Sequence, residues 1–342
     1  MKFELQNDKR YTDLLNNIGE TYSQHQNLAV SYINRELLKA YWKIGQYIVE
    51  FEQAGKEKAE YGKKLLLKLS KDLKVQYGKG FSRTNLVYMR LFYSKYQISQ
   101  TLSDQLSWSH YVELLGISDD LERSFYEKQS IHEKWSVREL KRQKKSALYH
   151  RLAMSKDKEG ILEMSKHGHI IQKPEDLNKD PYVFEFLGLP ESNLFSESEL
   201  EKQLLNKLQE FLLELGKGFA FISQQHRITL NNNHFKVDLV FYHYILKCFV
   251  LIDLKVDKLK HHDVGQMNMY LNYFKAEENR VGDNEPIGLI LTTDKDEILV
   301  EYATGGITNQ LFVSKYQIYL PDRKVLEKKV RTILETTAEK RK

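Results

Sequence analysis

Residues 235–271 read FKVDLVFYHYILKCFVLIDLKVDKLKHHDVGQMNMYL. Two apolar runs flank a short turn near Tyr244 to Leu246. The second run is rich enough in Val, Leu and Ile for a central strand covered on both faces. Asp238, Asp253 and Lys255 interrupt this pattern, and a buried acid without a partner is costly. A turn at this place sets position i opposite roughly 490 minus i in an antiparallel pair. Asp238 then falls within about one residue of Asp253. Asp253 and Lys255, two apart on one strand, leave the same face of the sheet. Three charged groups converge on one spot.

Two neighbouring carboxylates repel unless a cation lies between them or one is protonated. A buried salt bridge between Asp253 and Lys255 is one way to house the charges. The other is a hard divalent ion such as Mg²⁺, which binds through one or two carboxylates, waters and substrate phosphate. Lys255 would then stand beside the attacking water and stabilise developing hydroxide charge during phosphodiester hydrolysis. Both readings stand on strand geometry alone.

Outward from this pair, the second half of the chain reads as α/β. SESELEKQLLNKLQEFLLELG, 196–216, is an amphipathic helix ended by Gly216. FAFISQQHRITL, HFKVDLVFYH and KCFVLIDLKVD follow as strands, then a helix over 262–275, PIGLILTT as a strand and KYQIYL as a late edge strand. His261 and His262 are adjacent, so their side chains point differently and do not suit a shared zinc. The lone Cys248 excludes an intrachain disulfide or a cysteine zinc site. Neither GKGF sequence, at 78–81 or 216–219, fits a phosphate loop.

The first half differs. Segments 11–53, 61–77, 82–97, 105–116, 119–133 and 136–152 carry apolar residues three and four apart and no proline. Residues 1–152 hold 26 Lys and Arg against 18 Asp and Glu, whereas the remainder holds 26 against 29. Residues 61–95 carry nine basic residues and one acid, Asp72. Such a stripe attracts phosphates without sequence preference, or is simply a solvated face. Gly78 and Gly80 separate two helices, and Ser82 is an N-cap for the second, which makes a candidate helix-turn-helix. In that motif Lys79, Arg83 and Asn85 would face DNA bases, although glycine-turn hairpins also fill ordinary bundles. WSVRELKRQKKSALYHRL, 135–152, adds Arg142, Lys144 and Lys145 as a second candidate phosphate surface, or as the last helix of the domain. Residues 153–195 change to short apolar pieces among charges, with Pro174, Pro181 and Pro190, and read as a linker. The expected division is a basic helical domain at 1–152, the linker at 153–195 and an α/β domain at 196–342.

Overall, 342 residues with 41% hydrophobic and 29% charged composition are ordinary for globular domains, not disorder. MKFELQNDKR lacks the apolar core of a leader, and no window reaches a membrane span. A cytoplasmic protein with no membrane partner is expected.

The order of helix with an acid, strand, strand with Asp238, strand with Asp253-Leu254-Lys255, then helix resembles the PD-(D/E)XK nuclease superfamily. GKGFSRTNL, QLSWSHYVELL, WSVREL, FLLELGKGFAFI, VDLVFYH and GQMNMYL together resemble the YhcG-type family of bacterial nucleases over roughly residues 20–325. That family joins an N-terminal helical domain to the nuclease fold. The resemblance implies a two-domain α+β protein: an all-α N-terminal domain, then a restriction-endonuclease-like domain with a mixed central sheet. It implies that Asp238, Asp253 and the Leu254 carbonyl hold Mg²⁺, or Mn²⁺ in its place, that Lys255 is the catalytic lysine, and that Glu201 is an accessory acid and metal ligand. Gln266 matches the family's glutamine, with Tyr270 one turn on, and Gln225 is a further candidate beside the site. The second element starts with Asp where this family is associated with Glu, one methylene longer. The implied activity is Mg²⁺-dependent cutting of DNA gripped by the helical domain, with a homodimer favoured for duplex cutting. The alternative is an inactive DNA-binding or assembly module that keeps the fold.

Overall fold

The computed structural model describes residues 9–54, 59–96, 103–189 and 195–336. Most of the N-terminal stretch and Pro190 in the expected linker lie outside the described residues, and the side chain of Lys63 is likewise outside them. The chain divides into two compact units, Met1–Arg123 with Lys134–Leu140, and Ser124–Glu133 with Lys141–Lys342. No helix among the described residues is long and apolar enough to cross a membrane.

The first unit is helical. It contains α1 (Lys9–Ala54), α2 (Ala59–Tyr77), α3 (Arg83–Lys95) and α4 (Trp108–Leu115), while α5 (Asp120–His132) and α6 (Val137–Lys145) span the division. Leu86 and Met89 of α3 are fully buried with Ile48 of α1 and Leu66 of α2. A Cβ on Gly45 would lie 2.0 Å from the Met89 carbonyl oxygen, so only glycine lets α1 approach α3 this closely. Gly78, at φ 88°, ends α2, and the Ser82 hydroxyl accepts from Asn85 N–H to start α3. The N-terminal part of the 46-residue α1 keeps an apolar stripe, including Tyr11, Leu15, Ile18 and Tyr22, exposed to solvent.

The second unit is built on a six-stranded mixed sheet in the order β1-β6-β5-β4-β3-β2. β2 (Phe219–Leu230), β3 (Asn233–His243) and β4 (Cys248–Lys258) form an antiparallel meander. β5 (Ile287–Asp294), β6 (Gln310–Gln317) and β1 (Tyr182–Val183) continue in parallel from β4. β4 is central, and its alternate residues serve two cores. Val250, Ile252 and Leu254 pack with Leu200 and Leu204 of α9 (Glu197–Asn206), and Leu251 packs with Val264 and Met267 of α11 (His261–Tyr273). This is the two-sided burial expected from its apolar run.

Several elements depart from the sequence reading. The helix expected over 196–216 breaks at Lys207 into α9 and α10 (Leu208–Leu215). The helix expected over 136–152 breaks at Ala147, whose φ is 53°, giving α6 and α7 (Leu148–Ala153). The late strand starts at Gln310 and is interior, because β1 pairs along its outer side. The stretch 153–195 carries more structure than a linker: α8 (Lys158–His167) buries Ile161 and Met164, and Tyr182, Val183 and Phe184 are fully buried. Two further helices, α12 (Glu297–Thr304) and α13 (Arg323–Thr336), complete the described chain.

A buried ion cluster ties this unit together. Arg151 and Glu214, both 0% exposed, pair at 2.7 Å. Arg142 reaches the same carboxylate at 3.2 Å, and Lys179 donates to the Glu214 carbonyl at 2.5 Å. The Val183 N–H donates to Glu214 Oε1 at 3.0 Å, so the cluster also anchors β1.

Candidate active site

The β3–β4 ladder pairs His243 with Cys248 and runs to Leu239 with Ile252. Continued by one pair it sets Asp238 opposite Asp253, within one residue of the spacing expected from the turn. Regular pairing stops there because a side chain takes over: Asp238 Oδ2 accepts the Leu254 N–H at 2.8 Å. A strand residue turns its N–H and C=O to the same side, so the Leu254 carbonyl also emerges where β3 leaves β4. Asp253 is 4% exposed, and Lys255 Nζ meets its Oδ2 at 2.7 Å.

The electrostatics record one carboxylate too many. Burial, and then the neighbouring Asp238 charge, push the Asp253 carboxyl up to about 7, with Lys255 acting in the opposite direction. Burial pulls the Lys255 ammonium down, but Asp253, Glu197 and Asp238 outweigh it and leave it raised. Lys255 is therefore a held cation, and Asp238 and Asp253 share too little positive charge. Two carboxylates and a backbone carbonyl form a hard oxygen donor set that suits a divalent ion. Among the described residues there is no group of three or more His, Cys, Asp and Glu able to hold a metal, so any ion here relies on two acids, the carbonyl, water and substrate.

The three glutamates of α9 separate by role. Glu199 caps its own helix through Ser196. Glu197 lies 3.8 Å from Lys255 Nζ. Glu201 is linked to Asp238 by Gln225, whose Nε2 donates to Glu201 Oε2 at 2.7 Å and Asp238 Oδ1 at 3.1 Å. Burial followed by the Asp238 charge raises the Glu201 carboxyl. Gln225 has φ 47°, uncommon for a residue other than glycine and a mark of functional positions. Gln266 Nε2 donates to the Tyr270 hydroxyl and not to either acid, and Tyr270 in turn donates to the Lys236 carbonyl at 3.0 Å. Burial first, and then Asp253, raise the Tyr270 phenol.

The residues expected at DNA divide into two groups. Lys79, Arg83 and Lys145 are exposed and Lys144 is half-buried. Asn85 is not free to read a base: its amide donates to Gly80 O at 2.6 Å and accepts from Trp108 Nε1 at 2.8 Å, so it holds the helical hairpin together. Arg142 is likewise committed to Glu185 at 3.1 Å and to Glu214, with its guanidinium over the Phe186 ring. Partners far along the chain hide such commitments from a sequence reading. That reading also passed over Arg227, His234 and Lys236 on the β2–β3 hairpin, whose signal was the alternating basic and apolar residues of HRITLNNNHFK.

Residues 175–331 match the YhcG PDDEXK nuclease domain, and residues 17–151 match the DUF1016 N-terminal domain. The chain is 40% identical over 329 residues to "Putative nuclease YhcG" of Escherichia coli K12, covering 87% of each chain. Solved structures match over about half their own length, two of them as follows. A repair endonuclease from Pyrococcus abyssi covers 39% of this chain and 50% of its own at 17% identity and a TM-score of 0.25. The EndoMS-dsDNA2 complex covers 40% and 50% at 15% identity and a TM-score of 0.26. TM-scores this low leave identification to the domain matches and the curated relative. With nuclease and helical regions matched in order and that relative aligned over most of its length, the chain belongs to the YhcG-type family of PDDEXK nucleases.

Proposed function

We propose that the chain is a Mg²⁺-dependent endonuclease that hydrolyses phosphodiester bonds in DNA, with the basic helical region contributing to DNA binding. The observation that carries this reading is the pair Asp238–Asp253, the first half-buried and the second buried against a single lysine, and short of positive charge. Asp238, Asp253 and the Leu254 carbonyl are the proposed holders of the ion, with Glu201 supporting them through Gln225. A bound divalent ion would neutralise these acids and the substrate phosphate and acidify water. Lys255 orients the attacking water and offsets the negative charge that grows on it. Glu197 and Asp253 fix the Lys255 ammonium in place. Gln266 and Tyr270 brace the β3 backbone beside the acids.

Lys79, Arg83 and Lys145 are the proposed phosphate contacts outside the nuclease fold, supported by their exposure. Cutting both strands with one site per chain calls for two copies, and the solvent-facing apolar stripe of α1 is the proposed place for a second copy to pack. Sedimentation of the full chain against an Ile18→Asp variant tests this: a dimer that dissociates in the variant supports it, and a monomeric parent rejects it. Activity is tested by incubating supercoiled plasmid with the protein in Mg²⁺ or EDTA, beside Lys255→Ala. Mg²⁺-dependent nicking that falls about 10²–10³-fold in the variant is expected. Equal nicking by both proteins rejects the site. DNA binding without cutting on any DNA form would instead support a module that retains the fold without turnover.

A further inference from the structure

The β2–β3 hairpin splits away from β4, which itself continues to Lys258 in pairing with β5. β3 pairs with β4 only from Leu239 to His243, whereas β2 and β3 stay paired out to Leu230 and Asn233 around the Asn231–Asn232 turn. Residues 226–237 form a two-stranded arm that starts one residue beyond Asp238. One of its faces is anchored: Ile228 and Val237 are fully buried with Val264, Met267 and Tyr270 of α11. The opposite face carries Arg227, Thr229, His234 and Lys236, all exposed.

On that face two cations stand directly opposite each other, because the register pairs Arg227 with Lys236. Like charges across a ladder destabilise it, and a solvated surface commonly relieves them with an interleaved acid. Here Arg227 Nη2 contacts the His234 ring, 2.8 Å from Nε2, and Thr229 Oγ1 lies 3.1 Å from Nδ1 of the same ring. Among the described residues neither Arg227 nor Lys236 has an ion-pair partner. The field of Lys236 is nevertheless felt at Glu201. Two residues along a strand span about 7 Å, so this uncompensated pair begins one such step from Asp238.

We propose that the exposed face of this arm is a track for the sugar–phosphate backbone of substrate DNA. Arg227 and Lys236 are the positioning residues that hold phosphates on one side of the scissile bond. The proposal rests on the nuclease reading above and adds the path the strand takes to the acids. It accounts for a hairpin that keeps a like-charge pair across the two strands leading out of the site: the cost in the free protein is recovered when anions lie between the cations.

The test compares the full chain with an Arg227→Ala/Lys236→Ala double variant. Binding to a duplex oligonucleotide is measured by fluorescence anisotropy in EDTA across a salt series, and nicking is measured in Mg²⁺. Each lost phosphate contact removes about 0.9 from the slope of log affinity against log salt, so the double variant should lose about 1.8. KM for DNA should rise on the order of tenfold, with kcat at saturating DNA within about twofold of the parent. Thermal unfolding serves as the folding control, with a midpoint unchanged or higher because the like-charge pair is relieved. An unchanged salt slope and KM, in a parent that cuts DNA, overturns the track and leaves the nuclease reading intact. A loss confined to kcat overturns it as well. A parent that neither binds nor cuts DNA removes both.

Discussion

Replacing Asp253 with asparagine separates a cation site from a closed ion pair. The substitution keeps the volume and removes the charge that burial and Asp238 oppose. In the metal-free protein these two causes push the carboxyl from 3.8 up to about 7, a balance that already includes the attraction of Lys255. At about 1.4 kcal/mol per unit, the ionised side chain costs on the order of 4 kcal/mol at about pH 8. Relaxation of solvent and neighbours around the charge takes back part of this, so Asp253→Asn should stabilise the metal-free chain by about 1–3 kcal/mol. A divalent ion at a hundredfold excess over its Kd stabilises the parent by about 2.7 kcal/mol, and the variant should gain little. The sign with pH follows from a folded pKa raised above the unfolded value. The stability contributed by protonated Asp253 is full below about 3.8 and is lost as pH rises through about 7, so the gap between parent and variant should close on acidification. Urea unfolding in EDTA and in saturating Mg²⁺, at about pH 8 and about pH 5, reads all of these quantities. A variant less stable than the parent in EDTA at the higher pH, or equally stabilised by Mg²⁺, refutes the reasoning and leaves an ordinary salt bridge.

Gln225→Ala should lower affinity for divalent ions about tenfold, measured by calorimetry, because it removes the bridge between Glu201 and Asp238. Glu214→Gln should destabilise the second unit by about 3–5 kcal/mol in urea, since Arg151, Arg142 and Lys179 would lose the charge they surround. In the helical region, Asn85→Ala should cost about 1 kcal/mol of stability with the salt slope of DNA binding unchanged, because its bonds are internal. Arg83→Ala should do the reverse, leaving stability intact and lowering that slope by about 0.9.

The site was legible where the chain is local. A turn of fixed length between two apolar runs sets strand register, which is why Asp238 could be put opposite Asp253 to within one residue. Asp253 and Lys255 needed only the two-residue alternation of a strand. Helices of the first half were legible from their apolar periodicity, down to the Ser82 cap. What stayed hidden depends on distant partners. Asn85 looks like a base reader until Trp108, 23 residues away, takes its amide oxygen. Arg142 looks like a phosphate contact until Glu214, 72 residues away, buries it. β1 is two residues long and exists only because β6 lies beside it. The break at Lys207 and the left-handed Ala147 lie inside uninterrupted apolar periodicity, where neither glycine nor proline marks a stop. The like-charge pair Arg227–Lys236 depends on a β2–β3 register that runs on past the last β3–β4 pair, which local patterning does not reveal.

The direct measurement is anomalous diffraction from crystals of the full chain soaked in Mn²⁺. A manganese peak between the Asp238 and Asp253 carboxylates, within about 2.0–2.3 Å of an oxygen from each and beside the Leu254 carbonyl, is the expected result. Manganese bound only elsewhere, with Lys255 still closed on Asp253 and nothing between the two acids, would contradict it.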